Sequence, residues 1–450
     1  MKGKFKLLAA AAAVAGAFGG QAAHAEGIEF HGYARTQVGA TDEGGNLQCF
    51  RLGWPAQAKY RLGNECDNYG EVAVALPFGK NTGPWAKYNL RLALREKGAQ
   101  DFEDATTGVD FANEKTSNNY QIASRENYVI AGGFFPEGGA LEDAKLWVGK
   151  RFYNRNDVHI NDYYYWANTG PGAGIEDIAI GSSGVKFAFA HQQNGGNSGL
   201  DGAPGSFVFG PDIGLKSVKK FEGRFYDIPV NKDGKLEAAL QIIRGSSVND
   251  PTTPADESAG DKTGYLLTLQ HFQGGVFGGF NKLALQYGKG NGSGKNWIPA
   301  YADGDAPTGN KTIRIVEQLY FAPQGTKWSG MATFIIDNTK DASGYKADWM
   351  SFGVRPQYNF SDNFSLAVEY GFDQGKEGMG NRATQRLHKL TVAPQITLSG
   401  GFWARPVLRG FVTYASWNDA AKGGVNNNSN RVWAGKTNGM TYGVQVETWW

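Results

Sequence analysis

Thr441-Tyr442-Gly443-Val444-Gln445-Val446-Glu447-Thr448-Trp449-Trp450 ends the chain. Gln445, Glu447 and Trp449 are in phase at every second residue, and Val444, Val446 and Trp450 fill the positions between them. An extended backbone sends successive side chains to opposite faces, so this is a strand with one polar and one apolar face. The pattern recurs along the chain. Glu29, His31, Tyr33 and Arg35 alternate with Ile28, Phe30, Gly32 and Ala34. Val72, Val74 and Leu76 lie opposite Tyr69 and Glu71. Lys87, Asn89, Arg91 and Arg95 alternate with Tyr88, Leu90, Leu92 and Leu94, and Leu236, Ala238, Leu240 and Ile242 with Glu237 and Gln241. These are half-buried strands.

Two architectures satisfy such strands. In a soluble sandwich the apolar faces meet each other; in a membrane barrel they meet lipid and the polar faces line a lumen. Three features favour the barrel. The strands continue without a linker or composition break. Their connections are uneven, some tight and some long and rich in Gly, Asn, Asp and Ser, such as 194–205 and 246–262. A terminal two-faced strand ending in an aromatic suits barrel closure and an interfacial girdle.

Composition agrees with an all-β transmembrane antiparallel barrel. The chain has 64 glycines among 450 residues and 13% aromatics, and its mean hydropathy is −0.43. No apolar run beyond Phe18 is long enough to span a bilayer as a helix. Lys and Arg number 45 against 43 Asp and Glu. That balance gives no case for a nucleic-acid partner.

The N-terminus places the chain in an export pathway. Lys2, Lys4 and Lys6 precede an alanine-rich apolar stretch, and Ala23-His24-Ala25 fits the small-x-small cleavage rule. Residues 1–25 therefore read as a secretory signal peptide, and 26–450 as a single barrel domain. Beyond export the compartment is oxidising. A disulfide is then the default for the only two cysteines, Cys49 and Cys66, with free thiols as the alternative. In the chain-entropy model the bridge is worth about 3 kcal/mol. Metal-ligand spacing is absent around His31, and no metal or cofactor is expected.

Several stretches resemble one family. They are Phe30-His31-Gly32-Tyr33-Ala34-Arg35, Lys59-Tyr60-Arg61-Leu62-Gly63-Asn64-Glu65-Cys66 and Gly149-Lys150-Arg151-Phe152-Tyr153, the last continuing through Tyr164-Tyr165-Trp166 and Gly170-Pro171-Gly172-Ala173-Gly174. Gly279-Phe280-Asn281-Lys282, Gly353-Val354-Arg355-Pro356, Trp403-Ala404-Arg405-Pro406 and Trp449-Trp450 follow. Together they resemble the maltoporins, sugar-specific trimeric porins of the Gram-negative outer membrane.

The resemblance implies eighteen strands, an inward-folded constriction loop, a homotrimer in outer-membrane lipid, and an oligosaccharide substrate such as a maltodextrin. It implies a lumenal aromatic slide, matched here by Tyr33, Tyr69, Phe280, Phe360 and Trp449. It also implies an ionic track of Arg35, Arg61, Glu71, Arg125, Arg155, Asp157 and Asp162, with His159 beside it and Tyr164 at the constriction. A tryptophan that the family borrows from a neighbouring subunit has no clear counterpart; Tyr120 is the nearest aromatic.

Face alternation tests the slide independently. Tyr33 is in phase with Arg35, Tyr69 with Glu71, Phe280 with Lys282 and Gln286, and Trp449 with Glu447. Phe360 instead falls in phase with Val354 and Tyr358, which sends it outward unless a bulge or strand end intervenes. Rival readings are a general diffusion porin without sugar affinity, an outer-membrane barrel enzyme and a secreted carbohydrate-binding sandwich. Asp157, His159 and Asp162 are the nearest approach to an acid-base cluster, and no nucleophile motif accompanies them. A role for the outer loops as phage receptors is not legible in the residues.

Overall fold

The computed structural model describes residues 27–79, 83–96, 120–195, 216–247, 263–293, 309–425 and 432–450. The leader expected at 1–25 and the side chain of Tyr120 lie outside them.

Eighteen strands run through the described residues. They are β1 (Glu29–Thr41), β2 (Asn68–Gly79), β3 (Trp85–Glu96), β4 (Tyr120–Gly132), β5 (Lys145–Val158), β6 (Tyr163–Ile180), β7 (Val185–Gly195), β8 (Lys216–Asn231) and β9 (Gly234–Ser247). Then come β10 (Thr263–Val276), β11 (Gly279–Lys289), β12 (Lys311–Phe321), β13 (Trp328–Lys340), β14 (Lys346–Asn359), β15 (Phe364–Gly378), β16 (Thr384–Thr397), β17 (Val407–Trp417) and β18 (Asn438–Trp449). Each pairs antiparallel with its chain neighbours. β1 also pairs with β18, from Tyr33 opposite Trp449 to Thr41 opposite Thr441. Gly32 and Trp450 exchange two backbone hydrogen bonds of 3.2 Å, so closure runs to the last residue. A closed sheet leaves no unpaired edge, which hydrocarbon would not tolerate.

The barrel is inside-out relative to a soluble protein. Val38, Val148 and Leu408 are exposed at 69%, 65% and 52%, while Glu369, Thr391 and Thr413 are fully buried. Alternation therefore turns apolar residues to lipid and polar residues to the lumen.

Among the described residues, two of the connections that fold into that lumen meet each other. The first is residues 42–67, between β1 and β2. Its Phe50, Leu52, Ala56, Ala58, Tyr60 and Leu62 are buried. Asn64 clips the segment to itself, accepting from the Phe50 N–H at 2.7 Å and donating to the carbonyls of Phe50 and Tyr60 at 2.8 and 2.9 Å. Cys49 and Cys66 are bridged across its neck, as expected. Tyr60 is seated against Gly353 on β14 and Gly371 on β15, where a β-carbon would overlap its ring. Its hydroxyl meets Ser351 Oγ at 2.7 Å. The second inward connection is the tip of the β5–β6 hairpin, residues 159–162. The two are joined where the Arg61 N–H donates to the Ile160 carbonyl at 3.0 Å. Tyr163 on β6 donates to Asp337 on β13 at 3.2 Å, tying the hairpin to the far wall. The inward constriction is thus built from both segments.

Candidate lumenal solute path

Cross-strand register sets the first rings of the path. Tyr33 pairs with Glu71 on one side and Trp449 on the other, and directly opposed residues share a face. The Tyr33 and Tyr69 rings are 6.1 Å apart. Each hydroxyl is held by a lumenal carboxylate: Tyr33 donates to Glu447 at 3.0 Å and Tyr69 to Glu71 at 2.5 Å.

Charged side chains flank these rings. Arg61 donates to the Tyr33 hydroxyl at 2.9 Å and to Glu447 at 3.3 Å, and it pairs with Glu65. Glu447 also receives Arg405 at 2.8 Å and Arg409 at 3.2 Å. Arg35 pairs with Asp67 at 2.8 Å and lies 5.3 Å from the Tyr69 ring. Arg91 bridges Glu71 and Glu126 at 2.8 and 2.7 Å. Burial alone would raise the Glu65 carboxyl. Arg35, Arg61 and Lys59 override that cost and hold it well below the usual carboxylate range. His159 moves for a simpler reason. Burial, reinforced by Arg61, keeps its imidazole well below its ordinary value, so the ring is neutral at neutral pH.

The β5–β6 hairpin supplies the narrow part. Arg155 stands 4.1 Å from the Tyr164 ring centroid and 4.3 Å from that of Phe152, and it donates to the Tyr164 hydroxyl. Arg125 covers Phe152 at 5.0 Å. Bulges make this possible. Arg91 faces Glu126 while Leu92 faces Ser124, leaving Arg125 as the extra residue on β4. Asn154 is skipped likewise on β5, and between Asn156 and Val158 the extra residue falls on β6, where Tyr164 and Tyr165 stand against Asp157. A bulge re-aims side chains that strict alternation would send away. Asp162 takes φ +57° at the turn, a left-handed conformation that Asp tolerates better than most residues.

Between Trp449 and Phe280 the path runs along residues the sequence did not single out as slide members. His159 lies 6.2 Å from Trp449 and 4.8 Å from Trp403. Trp403 lies 5.5 Å from Tyr320, and Tyr320 lies 5.6 Å from Phe280. Phe272 stacks on Phe280 at 5.6 Å. Trp403 was visible only inside the stretch Trp403-Ala404-Arg405-Pro406. Tyr320 could have been found by alternation, since it is in phase with Gln318 and Arg314.

Phe360 does not join these rings, which corrects the placement drawn from the resemblance. It packs on Tyr358 at 5.1 Å and Phe364 at 5.4 Å in the turn after β14. It is 49% exposed, in a group that includes Trp328 on the outward side. The alternation along β14 gives that direction. Trp450 also faces outward, 5.9 Å from Phe30 and over Gly32, while Trp449 faces in.

The model of the LamB porin family matches residues 28–450. The chain belongs to the LamB porin family. Membership makes this barrel a diffusion channel of the outer membrane. Solved structures similar to this LamB-family barrel include OmpT of Vibrio cholerae, at 9% identity and TM-score 0.40 over 94% of this chain and 97% of that one. OccD3 (OpdP) of Pseudomonas aeruginosa matches at 8% and 0.46 over 96% and 93%. OpdK of the same organism matches at 12% and 0.45 over 94% and 99%.

Proposed function

We propose that the channel passes sugars, with maltose, maltodextrins or related oligosaccharides as its substrates. The observation that carries this reading is the ring path Tyr69, Tyr33, Trp449, His159, Trp403, Tyr320 and Phe280 with charged groups beside it. A pyranose ring has apolar faces that pack on aromatic rings. Its hydroxyls exchange hydrogen bonds with flanking carboxylates and guanidinium groups, which bond more strongly than neutral partners. A row of similar contacts lets a sugar move from one to the next while no single site holds it for long, as conduction requires. Sieving by size alone needs no such row. The functional unit we propose is a homotrimer in outer-membrane lipid. The test is ion current through planar bilayers with a panel of maltodextrins, sucrose and monosaccharides. Saturable block that strengthens with chain length is the expected result. Current indifferent to every sugar would make this a general diffusion porin. Sedimentation of the unheated protein in mild detergent tests the trimer, and a monomer alone would refute it.

A further inference from the structure

Four lysines meet at one rim of the barrel. Lys289 ends β11, Lys311 begins β12, Lys340 ends β13 and Lys346 begins β14. The register places Lys289 opposite Lys311, Lys311 opposite Lys340, and Lys340 opposite Lys346. Directly opposed residues share a face, and here it is the outer one: the neighbouring Thr312 and Ala347 are buried toward the lumen. With strands about 4.8 Å apart, the four positions span about 14 Å around the wall. Like charges set directly opposite one another destabilise a sheet.

Nothing among the described residues neutralises them. None of the four has an ion pair or side-chain hydrogen bond there. Asp341, in the turn between Lys340 and Lys346, spends its carboxylate on Ser343 N, Ser343 Oγ and Tyr345 N at 2.7–2.9 Å. Asp348 pairs with Arg382 at 2.6 Å. Two strands further round, Lys219 and Arg244 again stand opposite each other.

The height of the row identifies what it meets. Two to four residues along the same strands, the same face carries Tyr287, Ile313, Ile336 and Met350, which belong to the lipid-facing wall. The rim is the one bearing the long connections, the cell-exterior end of a porin. The lysines therefore sit where the acyl chains of the outer leaflet give way to its headgroups. We propose that this row binds the phosphate groups of outer-leaflet lipopolysaccharide. Phosphate oxygens replace the missing counter-charges, and the lysine stems lie along the apolar wall with their ammonium groups at headgroup height. The proposal is independent of which solute the lumen passes.

The test uses the full barrel extracted unheated in detergent, with rough-type lipopolysaccharide as the probe. Native mass spectrometry and titration read the binding. Lys289→Gln, Lys311→Gln, Lys340→Gln and Lys346→Gln together are expected to weaken it about tenfold or more. The same four positions changed to Arg should retain it. Dephosphorylated lipopolysaccharide should bind the unmodified barrel as weakly as intact lipopolysaccharide binds the Gln variant. Unchanged open-pore conductance shows that the variants are folded. Equal binding by the Gln variant, or by the dephosphorylated probe, would overturn the proposal. Full competition by millimolar inorganic phosphate would mean a free-anion site and would overturn the lipid assignment.

Discussion

The guanidinium carbon of Arg405 stands 3.9 Å from the ring centroid of Trp449. Arg405 is itself pinned, donating to Glu447 at 2.8 Å and to the carbonyls of Phe402 and Ala404 at 3.1 and 2.8 Å. One face of the indole is thereby covered by a fixed cation, which leaves the other to stack on a solute. The neighbouring Trp450 faces outward, against Phe30 and over Gly32. Adjacent tryptophans thus have separable roles. Trp449→Ala should cut sugar affinity about tenfold, the loss of one ring contact worth about 1.4 kcal/mol, with folding intact. Trp450→Ala should leave affinity alone and lower the yield of assembled barrel. Sugar titration of ion current, beside outer-membrane yield, measures both, and reversed phenotypes would refute the assignment.

The seat of Tyr60 makes a different prediction. Gly353 and Gly371 form a notch that only a residue without a β-carbon can provide. Gly353→Val should cost about 1–3 kcal/mol of overpacking, which the inward segment can relieve by leaving the wall. Open-pore conductance should therefore rise. Tyr60→Phe removes only the bond to Ser351 and should change conductance little. A Gly353→Val channel with unaltered conductance would show that this segment does not narrow the path.

Glu65 sets the pH range of that docking. Its folded-state carboxyl lies below its ordinary value of 4.5, so the unfolded chain binds protons first as pH falls. The stabilisation is complete above about pH 4.5, declines below it, and is lost as pH drops through the depressed folded value. Glu65's contribution to conductance should be flat from neutral pH down to about 4.5, with any opening that stems from it confined to stronger acid. Glu65→Gln leaves Arg35, Arg61 and Lys59 without their shared carboxylate. Breaking such a buried group costs about 3–5 kcal/mol, so the variant should show raised conductance already at neutral pH. Identical pH profiles for the two proteins would remove Glu65 from this role.

What the sequence disclosed follows from what period-two alternation can encode. It placed Tyr33, Tyr69, Phe280 and Trp449 on lumenal faces and turned Phe360 outward, where the family resemblance had put it inside. It could not tell residues 50–62 from a wall strand: Phe50, Leu52, Ala56, Ala58, Tyr60 and Leu62 alternate with Arg51, Gln57, Lys59 and Arg61, yet the segment pairs with no strand and its apolar side is buried in the lumen. The partners of Tyr60 are glycines about three hundred residues away, and nothing local marks them as a seat. Arg125 and Glu126 both serve the lumen because of a bulge, which alternation would forbid. Trp403 sits in an aperiodic turn, so its direction depends on how that turn folds beneath the barrel.

That turn carries the last prediction. Trp403 and Tyr320 fill the interval between Trp449 and Phe280, with ring centroids 5.5 Å apart and Tyr320 a further 5.6 Å from Phe280. Phe402 also lies 5.9 Å from both His159 and Tyr320, but it is buried, so Trp403 is the ring that offers a solute an open face in this interval. Trp403→Ala should therefore interrupt the path rather than weaken its entrance. Long oligosaccharides still reach Tyr33 and Trp449 from the mouth, so their block of ion current should fall only a few-fold. Their transit should slow more, because the sugar must cross the gap by leaving one ring before meeting the next. Tyr320→Ala should act the same way, and the double variant should add little to either single one if both serve one step. Liposome swelling separates transit from affinity. Wild-type swelling rates for maltodextrins in Trp403→Ala, with unchanged block, would show that the path ends at Trp449.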